Sequence, residues 1–358
     1  MQEFGFMRHG WLIAALFFIA SAAGAQEWHP FLDGAVFATY VTETGPKSPQ
    51  NKAFSTNWFA AGAERDLGAR GALFGRVRFS LEPFTIPKQG YPQLLQYIAP
   101  GSGGPLVDFM RAHDLVQEAV AGVQWRPLAF SVAPVGEPPI GPHPYAQRDS
   151  SVDFAEAPFA YDVQESYHVA TRVLTAGLTS RVADFEYGVF HESTTTGRHT
   201  AIDDGSIDSW GARLTLAPSS RLSGQLSAGR LGDRKAKLTT ASLSYNGALL
   251  AASGIWTRND GRTAWSIEAS LRAQRSVVSA RAEWVDRPAG IFTPDARRTA
   301  HVTVGYVFEV LHAGGQRAGI GINADYHSAA RELEPAYGHK PQNVYLFLRW
   351  RTDRSGHS

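Results

Sequence analysis

The stretch PLVDFMRAHDL, residues 105–115, contains four side chains that could take part in binding a cation or moving a proton. These candidates are Asp108, Arg111, His113 and Asp114. Imidazole and carboxylate are suitable metal ligands and proton carriers, which favours a cation site or an acid–base pair. Ion-pair networks also occur without catalysis, and a nearby arginine repels an added cation. We therefore predict that His113 is a structural anchor of a loop, with Asp108, Asp114 or Arg111 as its neighbours.

Further histidines lie in or beside later connections, and they are His143, His168, His191 and His199. A sparse metal-binding rim is one interpretation, but their spacing matches no compact metal motif and the chain has no cysteine. The sequence also lacks the G-x-S-x-G and H-E-x-x-H elements of known catalytic sites. We expect no enzymatic activity, no cofactor and no resident metal.

The N-terminus has the pattern of an export signal over residues 1–25. Arg8 supplies a positive charge, residues 11–20 form a short apolar run, and Ala23-Gly24-Ala25 has the small-x-small pattern of a cleavage site. The apolar run is shorter than the roughly 20 residues that a membrane-spanning helix needs. We predict that the mature chain begins near Gln26 and contains no transmembrane helix.

A two-residue period appears most clearly in residues 262–284. Trp265 and Ile267 alternate with Glu268 and other small or charged residues, and the pattern resumes after a tight turn near residues 274–276. This alternation is typical of an amphipathic β-hairpin. The same period recurs along the chain and gives about 16 strands. It does not by itself say which face of each strand points inward.

The lengths of the connections separate the two all-β alternatives. Short and mostly longer connections alternate along the chain, as in outer-membrane barrels with short periplasmic turns and long outer loops. Blade-length repeats of a propeller are missing, and a soluble sandwich does not explain the alternation. We predict a transmembrane antiparallel up-and-down β-barrel over residues 26–358, in the bacterial outer membrane. Tryptophans expected in its aromatic girdles are Trp28, Trp58, Trp125, Trp210, Trp256, Trp265, Trp284 and Trp350.

Several predicted strands carry charges on the face opposite their apolar residues. Charged side chains are costly against lipid, so we expect these residues to line the lumen. The alternative is that these charges form a lattice of cross-strand ion pairs that stiffens the barrel wall and has no role in selectivity. The candidate pore-lining residues are Arg76, Arg78, Glu82, Arg213, Glu268, Arg272, Arg281, Glu283 and Arg349.

The connection spanning residues 83–114 is too long for an ordinary hairpin loop. Its proline, glycine, tyrosine, leucine and phenylalanine content is also too apolar for a solvated tip. We expect it to fold into the barrel as a constriction or partial plug, with Asp108, Arg111, His113 and Asp114 at its end.

Three segments carry a resemblance to a known family: FSLEPFTIPKQGYPQLLQ, GGPLVDFMRAHDL and VAPVGEPPIGP. They resemble those of an uncharacterised family of exported bacterial β-barrel proteins of porin type, and the resemblance covers most of the mature chain. The family pattern has a second histidine two positions before the His-Asp pair, where this sequence has Arg111. The resemblance implies a barrel without implying a solute, and the departure at Arg111 argues against carrying over a metal site.

These observations together predict a porin-like channel for passive or weakly selective passage of small hydrophilic solutes or ions. The alternative is a non-conducting structural or binding barrel, closed by its loops and concerned with metal handling. Expected partners are outer-membrane lipids, the permeating solutes, and the barrel-assembly and periplasmic chaperone machinery during biogenesis. Lysine plus arginine number 34 against 33 acidic residues, a net charge of +1 that argues against nucleic acid as a partner.

Overall fold

The computed structural model describes residues 27–44, 51–69, 71–97, 106–193, 199–232, 235–288, 296–328 and 334–353. The predicted export signal, residues 1–25, lies outside these described ranges, so the structure does not test it. Among the described residues, no helix has the length and apolar character needed to cross a membrane.

Sixteen strands close into an antiparallel barrel, which confirms the predicted fold class. Each strand pairs with its neighbours, and the first strand pairs with the last. The barrel strands are β1 (Trp28–Thr44), β2 (Asn51–Asp66), β3 (Gly71–Phe79), β6 (Val116–Trp125), β7 (Leu128–Gly136), β8 (Ala170–Thr179), β9 (Ala183–His191), β10 (Ser209–Ser219), β11 (Leu222–Leu231), β12 (Ala236–Asn246), β13 (Leu250–Asn259), β14 (Arg262–Ala273), β15 (Ser276–Pro288), β16 (Ala296–Ala313), β17 (Gln316–Ser328) and β18 (Gln342–Thr352).

The described residues outside the barrel wall form a few short elements. A separate hairpin consists of β4 (Tyr91–Tyr97) and β5 (Leu106–Met110). Three four-residue helices are α1 (Glu82–Thr85), α2 (Tyr161–Gln164) and α3 (Glu334–Tyr337), and a 3₁₀ turn spans Tyr145–Gln147. All of them lie in connections at the end of the barrel opposite the short turns.

The two-residue period separates an apolar outer face from a polar inner face. On β14, Trp265 and Ile267 are exposed, whereas Ser266 and Glu268 between and beside them are buried. Leucine, valine, isoleucine and aromatic side chains form an exposed outer band on the other strands too, as a lipid-facing surface requires. Trp58 is an exception to the predicted girdle. It faces inward and is buried, with the guanidinium of Arg78 over its ring at 5.6 Å.

Two long connections fill much of the barrel interior, and we call their described parts the first inner loop (residues 80–97 and 106–115) and the second inner loop (residues 137–169). In the first inner loop, Tyr91 stacks on Phe54 of β2 with the ring centroids 4.4 Å apart. Ile86 and Tyr91 share a buried cluster with inward residues of β1, β2 and β18. In the second inner loop, Phe159 and Val163 pack with inward residues of β14 and β15. Both loops therefore lie against the inner wall of the barrel.

Candidate functional site

Most of the ion pairs between the second inner loop and the barrel lie on one side of the inner wall, and the pair between Glu137 and Arg213 of β10 lies on the other side. Arg148 binds Glu268 of β14 with an Nε–Oε1 distance of 2.7 Å. Asp153 pairs with Arg349 of β18 and lies 3.1 Å from Nη2 of Arg272 on β14. These partners are buried, apart from a small exposed fraction of Arg272, so the loop covers the wall charges that face it.

Arg281 and Glu283 of β15 form the centre of this contact. The Arg281 guanidinium lies 3.2 Å from a Glu283 carboxylate oxygen and 3.3 Å from one of Glu156 in the loop. Glu283 also accepts the backbone N–H groups of Phe159 and Ala160, at 3.0 and 2.9 Å. We call the inner face of β13–β18 the covered wall, because the second inner loop removes its charges from water.

The inner face of β3 and β6–β10 is different, and we call it the exposed wall. Arg76 forms two 2.8 Å hydrogen bonds to Glu118 of β6, yet its side chain remains 39% exposed. Arg213 of β10 pairs with Glu186 of β9 at 2.8 Å, and the Glu186 side chain is 30% exposed. Inward positions nearest the short turns, such as Ser131, are also only partly buried. This wall retains polar and charged groups that water reaches.

The predicted pore-lining residues therefore fall into two environments. Glu268, Arg272, Arg281, Glu283 and Arg349 lie on the covered wall. Arg76, Arg78 and Arg213 lie on the exposed wall side, although Arg78 and most of Arg213 are buried by their neighbours. A role in lining a pore remains a prediction for all of them.

Glu82 does not lie on a barrel strand as the sequence predicted. The strand ends at Phe79, and Pro83 cannot donate the backbone hydrogen bond that would extend the ladder, so the chain turns into α1. Glu82 is buried, and one of its carboxylate oxygens accepts the backbone N–H of His113 at 2.8 Å. Its other oxygen accepts the N–H of Asn57 on β2 at 3.3 Å. Glu82 thus joins the two ends of the first inner loop to the barrel.

His113 binds Glu82 rather than any of its predicted neighbours. The Nδ1 atom of His113 lies 2.7 Å from Oε2 of Glu82, and the His113 side chain is 19% exposed. The Tyr161 hydroxyl of the second inner loop lies 3.4 Å from Nε2 on the other side of the ring. His113 is therefore a contact between both inner loops and the barrel, and the expected partners Asp108, Asp114 and Arg111 were wrong for its hydrogen bonds.

The other three residues of the opening stretch lie apart from this contact. Asp108 accepts the backbone N–H of Leu95 at 3.3 Å within the hairpin. Asp114 binds Nδ1 of His199 at 2.9 Å and so links the first inner loop to residues 199–208, which precede β10. Arg111 is partly buried. The stretch does not converge on one point, so the four residues do not form one compact site.

The Glu82–His113 contact predicts a pH-dependent first inner loop. Burial acts to lower the pKa of His113, but Glu82, followed by Asp114 and Glu165, raises the pKa above its ordinary value. A raised folded-state pKa contributes stability below the unfolded-state pKa of about 6.5, and that contribution is lost as pH rises through the folded-state pKa. A hydrogen bond to a charged group contributes about 1.5–3 kcal/mol to stability, and deprotonation of His113 would remove part of that contribution from the first inner loop.

We expect the protection of backbone amides in residues 80–86 and 113–115 against hydrogen exchange to fall as pH rises above neutrality. Protection factors corrected for the intrinsic pH dependence of exchange measure this effect. In His113→Gln the change over the same pH range should disappear. Protection that rises with pH, or the same slope in His113→Gln, would contradict the assignment.

A narrow cavity of about 70 Å³ lies where the two inner loops meet. Its lining includes Arg78, Glu82, His113, Tyr161 and Glu165. Burial raises the pKa of Tyr161 above its ordinary value, so its hydroxyl stays protonated at neutral pH. The cavity thus combines hydroxyl, imidazole, carboxylate and guanidinium groups in a space large enough for a few water molecules.

Three of the four histidines considered as a metal-binding rim lie beside separate carboxylates. His143 lies 3.5 Å from Glu137, His191 binds Asp208 at 2.6 Å, and His199 binds Asp114. Burial lowers the pKa of His168 to about 3, so this imidazole is neutral. Within the described ranges, these residues do not converge on one cation site.

The sequence reasoning missed a different group, His301, Asp325 and His327 on the covered wall. One ligand atom from each residue lies within 4.8 Å of the other two, and all three residues are buried. The missed signal is the spacing Asp325-x-His327, which places both side chains on the same face of β17.

Solved outer-membrane proteins share the fold of this chain. An anion-selective porin from Comamonas acidovorans matches with a TM-score of 0.58 at 12% identity, over 91% of this chain and 100% of that one. In-vitro folded OmpT, an outer membrane protein of Vibrio cholerae, matches with a TM-score of 0.51 at 11% identity, over 92% and 99%. A mutant of the Rh. blastica porin matches with a TM-score of 0.52 at 8% identity, over 90% and 100%.

No protein-family model and no curated protein matches this sequence. At such low identities the structural similarity concerns the fold alone. The closed barrel of 16 antiparallel strands is a fold that this chain shares with solved bacterial outer-membrane porins.

Proposed function

We propose that this chain is an outer-membrane channel of porin type that passes small hydrophilic solutes or ions with weak selectivity. The observation that carries the proposal is the asymmetry of the interior. Charges on the covered wall are removed from water, whereas Arg76 and Glu186 on the exposed wall remain partly exposed. The proposed path runs along the exposed wall from the short-turn end and enters the cavity between the inner loops.

Both signs of charge along this path support weak selectivity. Arg76 and Arg213 are matched by Glu118 and Glu186, so a permeating ion meets no strong field of one sign. The proposed channel has two kinds of partner besides its solutes. Outer-membrane lipids contact its apolar band, and the β-barrel assembly machinery and periplasmic chaperones act on it during biogenesis.

A non-conducting binding barrel is the second candidate. It is favoured by the ion pairs between the second inner loop and the covered wall, because the pairs of Glu156 with Arg281 and of Asp153 with Arg349 join fully buried groups. Single-channel recording of the purified, refolded protein in planar bilayers separates the two candidates. Discrete, reproducible current steps support the channel, and their absence from a verified folded barrel supports the closed alternative.

The exposed wall predicts a specific change in ion selectivity. Removing the Arg76 charge leaves Glu118 beside the proposed path, so Arg76→Gln should shift the reversal potential in a KCl gradient towards cation preference. The matched control is Arg272→Gln, which removes the same charge from beneath the second inner loop. We expect little shift in the control. Equal shifts in both variants would contradict the proposed path.

A further inference from the structure

Four inward positions on two adjacent strands form a compact polar block. His301 of β16 is opposite His327 of β17, and Thr303 of β16 is opposite Asp325 of β17. Because alternate residues share a face, all four side chains enter the lumen side of the wall together. His301, Asp325 and His327 are each 1% exposed. The block therefore presents two imidazoles and one carboxylate within a small buried volume.

The spacing between the imidazole and the carboxylate differs from an ordinary hydrogen bond. Nε2 of His301 lies 3.4 Å from Oδ2 of Asp325, whereas charge-assisted N–H···O bonds are about 2.7–2.9 Å long. Two ligands of a tetrahedral Zn²⁺, with bonds of about 2.0–2.1 Å, lie about 3.4 Å apart. The observed separation is therefore the one that two ligands of a shared cation would have.

The groups behind the ligands orient two of them for metal binding. Nδ1 of His301 lies 2.9 Å from Oε2 of Glu283, an arrangement in which the carboxylate accepts this N–H and leaves Nε2 with a free lone pair. The Thr303 hydroxyl donates to Oδ1 of Asp325 at 2.8 Å, which leaves Oδ2 facing the imidazole. Such carboxylate–histidine–metal arrangements fix the tautomer and the ring orientation of a metal ligand.

The surrounding charge also favours a cation. Three carboxylates lie in or beside the block. Asp325 is one of its four residues, and Glu283 is the hydrogen-bond partner of His301. The third is Glu156 of the second inner loop, which accepts a 2.6 Å hydrogen bond from Asn323 on β17. Arg281 is the cation paired with Glu156 and Glu283. The Phe159 ring covers the block, with its centroid 5.0 Å from that of His301 and 5.5 Å from that of His327.

We propose that His301, Asp325 and His327 bind a divalent first-row transition-metal cation, with Zn²⁺ as the probe for its chemistry. The donor set consists of Nε2 of His301, Oδ2 of Asp325 and one ring nitrogen of His327. Two imidazoles and one carboxylate suit Zn²⁺ and related cations and are a poor match for Mg²⁺ or Ca²⁺, which prefer all-oxygen sites. The competing explanation is a protonated His301 held between Glu283 and Asp325 without a metal.

The experiment measures the metal content of the complete refolded barrel. Protein stripped with chelator is incubated with Zn²⁺, desalted, and examined by elemental analysis, and Co²⁺ replaces Zn²⁺ for visible absorption spectroscopy. We expect one Zn²⁺ per chain and intense Co²⁺ bands typical of a low-coordinate site. Asp325→Asn and His327→Gln should abolish stoichiometric binding, and Thr303→Val should weaken it by about 10–100-fold, as outer-shell changes commonly do.

The matched control is His143→Gln, which removes a 58% exposed imidazole elsewhere in the barrel and should retain one Zn²⁺. Circular dichroism verifies the β-structure of every variant. A folded parent protein that retains no stoichiometric Zn²⁺ or Co²⁺ would overturn the proposal in favour of the protonated His301. Binding that persists unchanged in both Asp325→Asn and His327→Gln would also overturn it, because the metal would then lie elsewhere. Neither result depends on whether the barrel conducts.

Discussion

Single-channel conductance is expected to rise several-fold when residues 144–166 are replaced by a flexible Gly/Ser linker. A linker of about ten residues has a typical reach of about 17 Å, so it can rejoin the ends without filling the lumen. The replaced segment contains the loop partners of the covered wall, including Arg148, Asp153 and Glu156. Its removal opens the interior to water and exposes charged groups that attract ions.

Planar-bilayer recordings of the two proteins, refolded in parallel, measure this change. The control replaces residues 200–207, which are mostly exposed and lie in the connection between β9 and β10. This control should leave conductance close to that of the parent protein, because the second inner loop remains in place. If the first variant folds and its conductance is unchanged, the second inner loop is not the principal obstruction.

Arg281→Met is expected to destabilise the barrel by about 3–5 kcal/mol, the usual cost of removing one partner from a buried ion pair. Methionine matches much of the length of arginine but leaves Glu156 and Glu283 without their shared guanidinium. It also removes the cation from the face of Phe154, where the guanidinium carbon lies 4.4 Å from the ring centroid. The remaining carboxylates are buried and cannot be hydrated without moving the loop.

Urea unfolding of the barrel in lipid vesicles, followed in both directions, measures the loss of free energy. Arg76→Met is the matched control, since Arg76 also pairs with a glutamate on the adjacent strand but is 39% exposed. Its expected cost is below about 1 kcal/mol, because Arg76 is partly hydrated and Glu118 keeps the Arg78 guanidinium at 3.4 Å. Similar losses in the two variants would show that the covered wall is as accessible to water as the exposed wall.

The barrel could be predicted from the sequence because its signals are local. The alternation of apolar and polar residues is visible within ten residues of a strand, as in the segment that contains Trp265 and Glu268. Short turns interrupt this alternation between paired strands. The boundary at Glu82 was wrong because the alternation was extended past Phe79 without allowing for Pro83. Trp58 was placed among the outward girdle residues from its residue type, but it lies in the middle of β2 on the inward face, where the first inner loop supplies apolar neighbours.

The interior could not be predicted in the same way, because its contacts are non-local. Arg148 and Glu268 are separated by 120 positions, and Asp153 and Arg349 by 196. No periodicity links such partners, so the second inner loop was recognised only as a long connection. The His301–Asp325–His327 group was missed because it requires the register between β16 and β17 as well as the alternation within each strand.

The second inner loop bridges the junction at which the two ends of the chain meet. Ala155 accepts a 3.0 Å hydrogen bond from Thr56 on β2, while Asp153 pairs with Arg349 on β18, and β1 lies between these two strands. A segment from the middle of the sequence therefore fastens the junction from inside. The part of its binding surface that β2 and β18 supply is assembled only after the first and last strands have paired, whereas the part on β14 and β15 does not depend on that pairing. A barrel that has not closed would therefore lack the contacts that tie this loop to both β2 and β18, and the loop would plug its lumen less firmly.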